Sequence, residues 1–253
     1  MYRIISAAAV AAALMCPAAQ AQHAGTPASI AAAIAAPDRP KADTERDAQR
    51  HPAELVAFAG VKSGDHVADL MPGKGYFTRI FSNVVGPTGH VYAIIPAELA
   101  AVAPKIPEAM KVLTAEPAFA NVTSSLIPTA SVGAPVKLDI AWTSDNYHDL
   151  YGFFGPGQAA AFNRAVFQAL KPGGVFIVID HVAPTGTSET SPKTLHRIDP
   201  QTVKTQVLAA GFVLEAESSV LRNPADPHDI KVFAPQIRGR TDQFVFKFRK
   251  PAK

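Results

Sequence analysis

From residue 64 onward, short apolar runs rich in β-branched and aromatic residues alternate with longer segments of helical spacing, and this alternation leaves few folds open. The runs His66 to Leu70, His90 to Ile95, Asn121 to Ser124, Lys137 to Trp142, Gly174 to Asp180, Phe212 to Ser219 and Gln243 to Arg249 read as strands. Helices are predicted between them, over Tyr76 to Val84, Ala97 to Ala103, Gln158 to Leu170 and Pro200 to Ala210. In "ALKPGGVFIVID" a helix ends at Leu170, Pro172 forbids its continuation, and Gly173 and Gly174 allow the turn into the next strand. Strands covered on both faces by helices must be apolar on both faces, which predicts a three-layer α/β domain around a mostly parallel sheet. With 253 residues, 48% of them apolar, the chain can bury such a core.

The first 21 residues have a different character. Arg3, the apolar run from Ile4 to Leu14 and the small residues Ala19 and Ala21 read as a cleaved secretory signal, with a mature start near Gln22. The apolar run is short for a bilayer span, so no stable membrane insertion is expected after cleavage, and the mature protein is expected in the periplasm or secreted. The single cysteine, Cys16, would leave with the signal, which excludes disulfides, thiolate catalysis and Cys-ligated zinc from the mature chain. Residues 22–60 read as a linker and helical extension, with helices over Ser29 to Ala35, Ala42 to Arg50 and from Pro52 to near Gly60, able to pack beside the core or close over its site. Residues 61–253 are the α/β domain. A net charge of +3 without a long basic block gives no reason to expect a nucleic-acid partner.

In an open parallel sheet, ligands bind beyond the carboxyl ends of the strands. "DLMPGKGYFT" follows the first strand, and Gly73 and Gly75 would let backbone approach a ligand near the amides of the next helix. It is neither a dinucleotide fingerprint, because Thr78 stands where the third glycine would be, nor a P-loop, because Lys74 lies between the glycines. A structural corner is the alternative. "DIAWTSDNYHDLY" gathers Asp139, Asp145, Asn146, Tyr147, His148 and Asp149 around the fourth strand, where such groups can orient a substrate, move a proton, or simply make turn and cap contacts. His148 titrates near enough to neutrality for a base. Asp180, His181, His196 and Arg197 follow the fifth strand, and Asp199 before Pro200 reads as a helix cap. These histidines lack a tight ligand spacing such as H-E-x-x-H, so no metal is expected; a metal-assisted hydrolase would need His148, His181 and His196 to converge on one ion. The long irregular stretches 183–197 and 221–241 are functional loops or surface decoration.

In order, "HVADLMPGKGYFTRIF", "HVYAIIPAEL", "LDIAWTSDNYHDLY", "ALKPGGVFIVIDH", "AAGFVLEAES" and "TDQFVFKFRKP" resemble the successive motifs of class I S-adenosylmethionine-dependent methyltransferases. The chain is most similar to a bacterial group of predicted methyltransferases with signal sequences that share "NYHDLY", "DH" and "LHRID". The resemblance covers residue 47 to the end and implies a Rossmann-like fold, seven-stranded, with the last strand antiparallel between the fifth and sixth. It implies S-adenosylmethionine as cofactor, with Asp69, Gly73 and Gly75 lining its amino-acid and ribose portion and Asn146 beside it. Met71 stands where the family has its first glycine, and Ile95 and Pro96 stand where an acid usually holds the ribose hydroxyls, leaving Glu98 as the nearest candidate. The implied function is methyl transfer to a small-molecule acceptor, with His148 as base and Asp145 and Tyr147 orienting it. The alternative is a secreted, catalytically silent binding protein on the same scaffold.

Overall fold

The computed structural model describes residues 27–252, so the signal sequence and Cys16 lie outside the described residues. The N-terminal part forms α1 (Ala28–Ile34), α2 (Lys41–Thr44), α3 (Asp47–Arg50) and α4 (Pro52–Ala59), followed by β1 (His66–Leu70), α5 (Tyr76–Val85), β2 (His90–Pro96), α6 (Ala97–Val102) and α7 (Lys105–Ala115). Then come β3 (Val122–Ile127), β4 (Leu138–Ser144), α8 (Tyr147–Phe154), α9 (Pro156–Ala169), β5 (Leu170–His181), α10 (Ser191–Leu195), α11 (Pro200–Ala209), β6 (Val213–Ser218) and β7 (Gln243–Arg249).

The strands form one seven-stranded sheet in the order β3-β2-β1-β4-β5-β7-β6. β1 to β5 pair in parallel, and β7 runs antiparallel between β5 and β6. This is the Rossmann-like α/β fold that the sequence predicts. Strand order reverses between β1 and β4, which opens a crevice at their carboxyl ends. The period of two sorts the strand side chains into two cores. Val67, Ile95, Ile140, Trp142 and Ile177 face α5, where Phe77 and Phe81 lie 4.7 and 5.2 Å from the Trp142 ring. Leu70, Ile94, Ala141, Phe176 and Val178 face the other way, onto Leu150, Phe162, Val166 and Val203 of the opposite helices.

Ile30 and Ala33 of α1 and Leu55, Val56 and Ala59 of α4 are buried in the first of these cores, so the N-terminal helices are part of it. α4 begins with Pro52 and ends at Gly60 in the left-handed region, as its terminal signals predict. The predicted helix over Ala42 to Arg50 is instead two short helices, α2 and α3. Side chains pin both: Arg39 donates to Asp47 at 2.6 and 2.8 Å, the Tyr76 hydroxyl donates to Asp47 at 2.5 Å, and Arg79 pairs with Asp43 at 3.1 Å.

Three helices go beyond the sequence prediction: α7, α8 and the short α10, which lies in the stretch 183–197 that reads as irregular. In α7 Ile106, Met110 and Leu113 recur at helical spacing, and in α8 Tyr147, Leu150, Tyr151 and Phe154 do the same. The residues after β4 that read as a polar loop are thus the start of a helix. β5 also begins earlier than predicted, at Leu170, because the Lys171–Gly174 segment enters the ladder as an irregularity opposite Leu138 and Ile140.

Gly75 owes its identity to packing. Its φ is +85°, and a Cβ there would stand 2.5 Å from Leu113 Cδ1 and 2.7 Å from Met110 Cε, whereas Gly73, at φ +59°, has nothing within 4 Å. Gly75→Ala is expected to lower stability by about 2–3 kcal/mol and Gly73→Ala by about 1, read from urea denaturation of both variants.

Candidate functional site

Two cavities open at the carboxyl end of the sheet. The smaller, of about 470 Å³, lies against the loop after β1 and is lined by Asp69, Met71, Gly73, Ser144, Asp145 and Asn146 together with residues of α2 and α3. The larger, of about 790 Å³, lies over the ends of β4 and β5 and includes Asp145, His148, Asp149, His181 and His196 in its wall. Arg46, Arg50, Lys74, Phe77, Ser144 and Asp145 border both.

The border is an ion pair. Arg50 reaches from α3 to place its guanidinium 3.2 Å from Asp145 and donates to Ser144 Oγ at 3.1 Å, with the Tyr76 ring 4.6 Å away. Gln243 Nε2 donates to Asp145 Oδ1 at 2.6 Å from the first position of β7. Burial would raise the Asp145 pKa, but Arg50, with His181 and His148, outweighs it and holds the carboxyl below its usual range. Asn146 Nδ2 donates to Met71 O at 2.9 Å and Ser144 O at 2.6 Å, tying the β4 loop to the β1 loop.

At the floor of the smaller cavity Asp69 accepts from Thr78 Oγ1 at 2.6 Å. Burial lifts its pKa to about 6, against the opposing pull of that hydrogen bond and of Arg50. Met71, directly after β1, holds φ +59°, and burial of its side chain offsets the roughly 1–2 kcal/mol that a left-handed residue costs. Asp145 and His196 are also left-handed, at φ +60° and +56°. Such conformations concentrate where function constrains the backbone.

His148 sits at the start of α8 over the end of β5. Asp180 accepts from its backbone N–H at 2.7 Å and lies 2.7 Å from its Nδ1, so one carboxylate holds both the helix terminus and the ring. Its Nε2 is 3.2 Å from Asp149 Oδ1, and His196 Nδ1 is 3.3 Å from the same oxygen. Burial disfavours the charged imidazole, but Asp180 and Asp149 outweigh it and raise the His148 pKa to about 10. His148 is therefore protonated at neutral pH and is not a base in this state. His181 turns to Thr241 Oγ1, 2.7 Å from Nδ1, and to Gln243 Nε2 at 3.1 Å; burial lowers its pKa, keeping it neutral.

The structure brings Asp145, Asn146 and His148 together with Asp69 and Gly73, but not every residue read from the sequence. Tyr147 faces away: successive helix positions are about 100° apart, and its hydroxyl is buried between Gln206 and Asn163, at 3.2 and 2.7 Å. It cannot orient His148 from there. Gly75 packs behind the loop on Leu113 and Met110, and Glu98 accepts from Thr129 N and Oγ1 at 3.1 and 2.8 Å; neither lines the two cavities. Asp139 is at the far end of β4, accepting from His66 N at 2.9 Å and Lys171 at 2.7 Å. Asp199 caps α11 through Gln201 N, as read.

The sequence reading passes over Arg46, Arg50 and Gln243. Arg50 and Ser144 are 94 positions apart, and no local pattern connects them. It also leaves 221–241 open between function and decoration; Leu221, Val232, Phe233, Arg238, Gly239 and Thr241 from this stretch line the larger cavity.

The fit to S-adenosylmethionine differs between its two ends. The buried Asp69 carboxylate, which among the described residues has no cation in hydrogen-bond range, suits the ammonium of the amino-acid end. The adenosine end finds no acid after β2, where Ile95 is buried, and the side chains of Ile94, Pro96, Ile127 and Phe162 close the groove beside it.

No protein-family model and no curated protein matches the chain. Among solved structures it is similar to a SAM-dependent methyltransferase from Aquifex aeolicus, 18% identical with a TM-score of 0.55, over 83% of this chain and 95% of that one. It is similar to the N-methyltransferase NodS from Bradyrhizobium japonicum, 11% identical with a TM-score of 0.52, over 83% of this chain and 98% of that one. The cyclase SpnF is 16% identical with a TM-score of 0.57, over 86% of each chain. The fold is that of class I S-adenosylmethionine-dependent methyltransferases, and SpnF carries it under the name of a cyclase.

Proposed function

We propose that the protein is an S-adenosylmethionine-dependent methyltransferase acting on a small-molecule acceptor. The observation that carries this reading is the pair of cavities meeting at Arg50 and Asp145, on the sheet edge where the strand order reverses. The smaller would take the amino-acid end of the cofactor, with Asp69 toward its ammonium and Gly73 and Asn146 beside it. The larger would take the acceptor, and Arg46, Lys74 and Arg238 in its wall favour an anionic one.

When bound, the cofactor supplies a methyl group on a sulfonium, and transfer is an in-line displacement that depends mainly on alignment. Asp145, ionised and fixed by Arg50 and Gln243, lines the junction and favours positive charge there. A protonated His148 cannot take a proton, so the arrangement suits an acceptor already nucleophilic at the working pH. The leader pattern in residues 1–21 supports a periplasmic or secreted site of action.

A second reading, a catalytically silent binding protein, is favoured by the closed groove and missing acid after β2. Calorimetric titration of the purified chain with S-adenosylmethionine and S-adenosylhomocysteine separates the two. Saturable binding at submillimolar ligand, weakened in Asp69→Asn by about tenfold for loss of a charge-assisted hydrogen bond, is expected. Absence of heat and of any thermal shift at millimolar ligand would remove the methyltransferase reading.

A further inference from the structure

We infer that His148 Nε2, Asp149 Oδ1 and His196 Nδ1 form a binding site for a divalent transition-metal ion, zinc by the chemistry of the donors, with an open coordination position toward the larger cavity. The three atoms all lie within 4.8 Å of one another. The two distances to Asp149 Oδ1 are 3.2 and 3.3 Å. Two donors each about 2.0–2.1 Å from a tetrahedral zinc stand about 3.3–3.4 Å apart, so the two edges that meet at Asp149 already have the length found in a coordination tetrahedron.

Three observations support an ion here over a chance polar cluster. Asp149 Oδ1 is buried, and no donor among the described residues meets it at hydrogen-bonding angles, although two imidazole nitrogens face it. A buried oxygen so placed is costly unless something binds it. Asp180 sits 2.7 Å from His148 Nδ1, the outer carboxylate that orients a metal-bound imidazole and leaves Nε2 as the donor atom. And His196 is held at φ +56° as the residue that ends α10, a strained backbone that turns its ring onto Asp149 and against Phe233, 4.9 Å away.

The set is two imidazoles and one carboxylate, three protein ligands in all, as in catalytic rather than structural zinc sites. His148, Asp149 and His196 all line the larger cavity, so a further ligand would come from the cavity. An oxygen donor there, water or an acceptor hydroxyl, would have its pKa lowered by the ion. On binding, any proton on His148 Nε2 passes to solvent, while the proton on Nδ1 stays on that nitrogen and is donated to Asp180. His181, directed to Thr241 and Gln243, takes no part. None of this depends on whether the chain binds S-adenosylmethionine.

The test is metal titration of the untagged, chelator-treated chain with Zn²⁺ by calorimetry and with Co²⁺ by visible absorption, folding being checked by circular dichroism. One equivalent of either ion is expected, with the intense d–d bands of tetrahedral cobalt. His196→Ala and Asp149→Asn should abolish both signals while remaining folded. Asp180→Asn should weaken binding by about 10- to 100-fold, and His181→Ala should leave it unchanged. Lack of uptake by the unmodified chain, or full uptake by folded His196→Ala, would overturn the proposal.

Discussion

Arg197→Ala is expected to lower unfolding free energy by about 3–5 kcal/mol, the usual cost of leaving a buried partner charge uncompensated. Arg197 and Asp226 are both wholly buried and meet through two parallel hydrogen bonds of 2.9 Å. The guanidinium also donates to Ile230 O and Val182 O, each at 2.9 Å, so one side chain fastens the 221–242 loop to the end of β5. Replacing both partners with leucine should recover only part of the loss, because Asp226 also accepts from the backbone amides of Asp242 at 2.7 Å and His228 at 3.1 Å, which would be orphaned. Urea denaturation of wild type, Arg197→Ala and Arg197→Lys measures this directly. Lysine keeps the charge but not the fork, and should fall between the other two. A loss below about 1 kcal/mol in the alanine variant would mean that the loop is not held by this pair.

Asp69 gives a pH dependence of opposite sign to that of most carboxylates. Its folded pKa of about 6 stands above the ordinary carboxyl value of 3.8, so the folded state binds the proton more tightly than the unfolded state does. Below about pH 3 both states are protonated and the group contributes no penalty; as pH rises from about 4 to about 6 the folded state loses stability, by about 3 kcal/mol in all, and above that the loss is constant. Asp69→Asn removes this pH dependence. The difference in stability, variant minus wild type, should climb by about 3 kcal/mol between pH 3 and pH 7 whatever its constant offset. Thermal or urea melts across that range read the slope. A flat difference curve would show that Asp69 is ionised without penalty, its charge matched in the fold.

The strands were the most legible part of the chain. β1 and β7 match their predicted bounds residue for residue: β1 is a nearly continuous buried run, and in β7 buried Phe244, Phe246 and Phe248 alternate with the partly exposed Gln243, Lys247 and Arg249 around a buried Val245. Helix ends were legible where a proline or glycine marks them, as in α4, or where an aspartate caps them, as in α11. α8 was not, because its apolar spacing is interrupted by the polar residues that also looked like a loop. That difference changes the chemistry: on a helix, Tyr147 and His148 cannot both face the cavity, and they divide between the buried core and the site.

The sequence by itself determined the order of the elements, the doubly covered sheet and the strand ends at which a site must lie, because these follow from local periodicity and from the sterics of proline and glycine. Only the tertiary structure decided the partners: Arg50 with Asp145, His148 with Asp180, and Asp149 with His196. Each of these pairs joins separate stretches of the chain, and the energy that selects it is that of a charge or hydrogen bond in a buried place. Such an energy exists only once packing has excluded water, so the composition of a segment carries little trace of it.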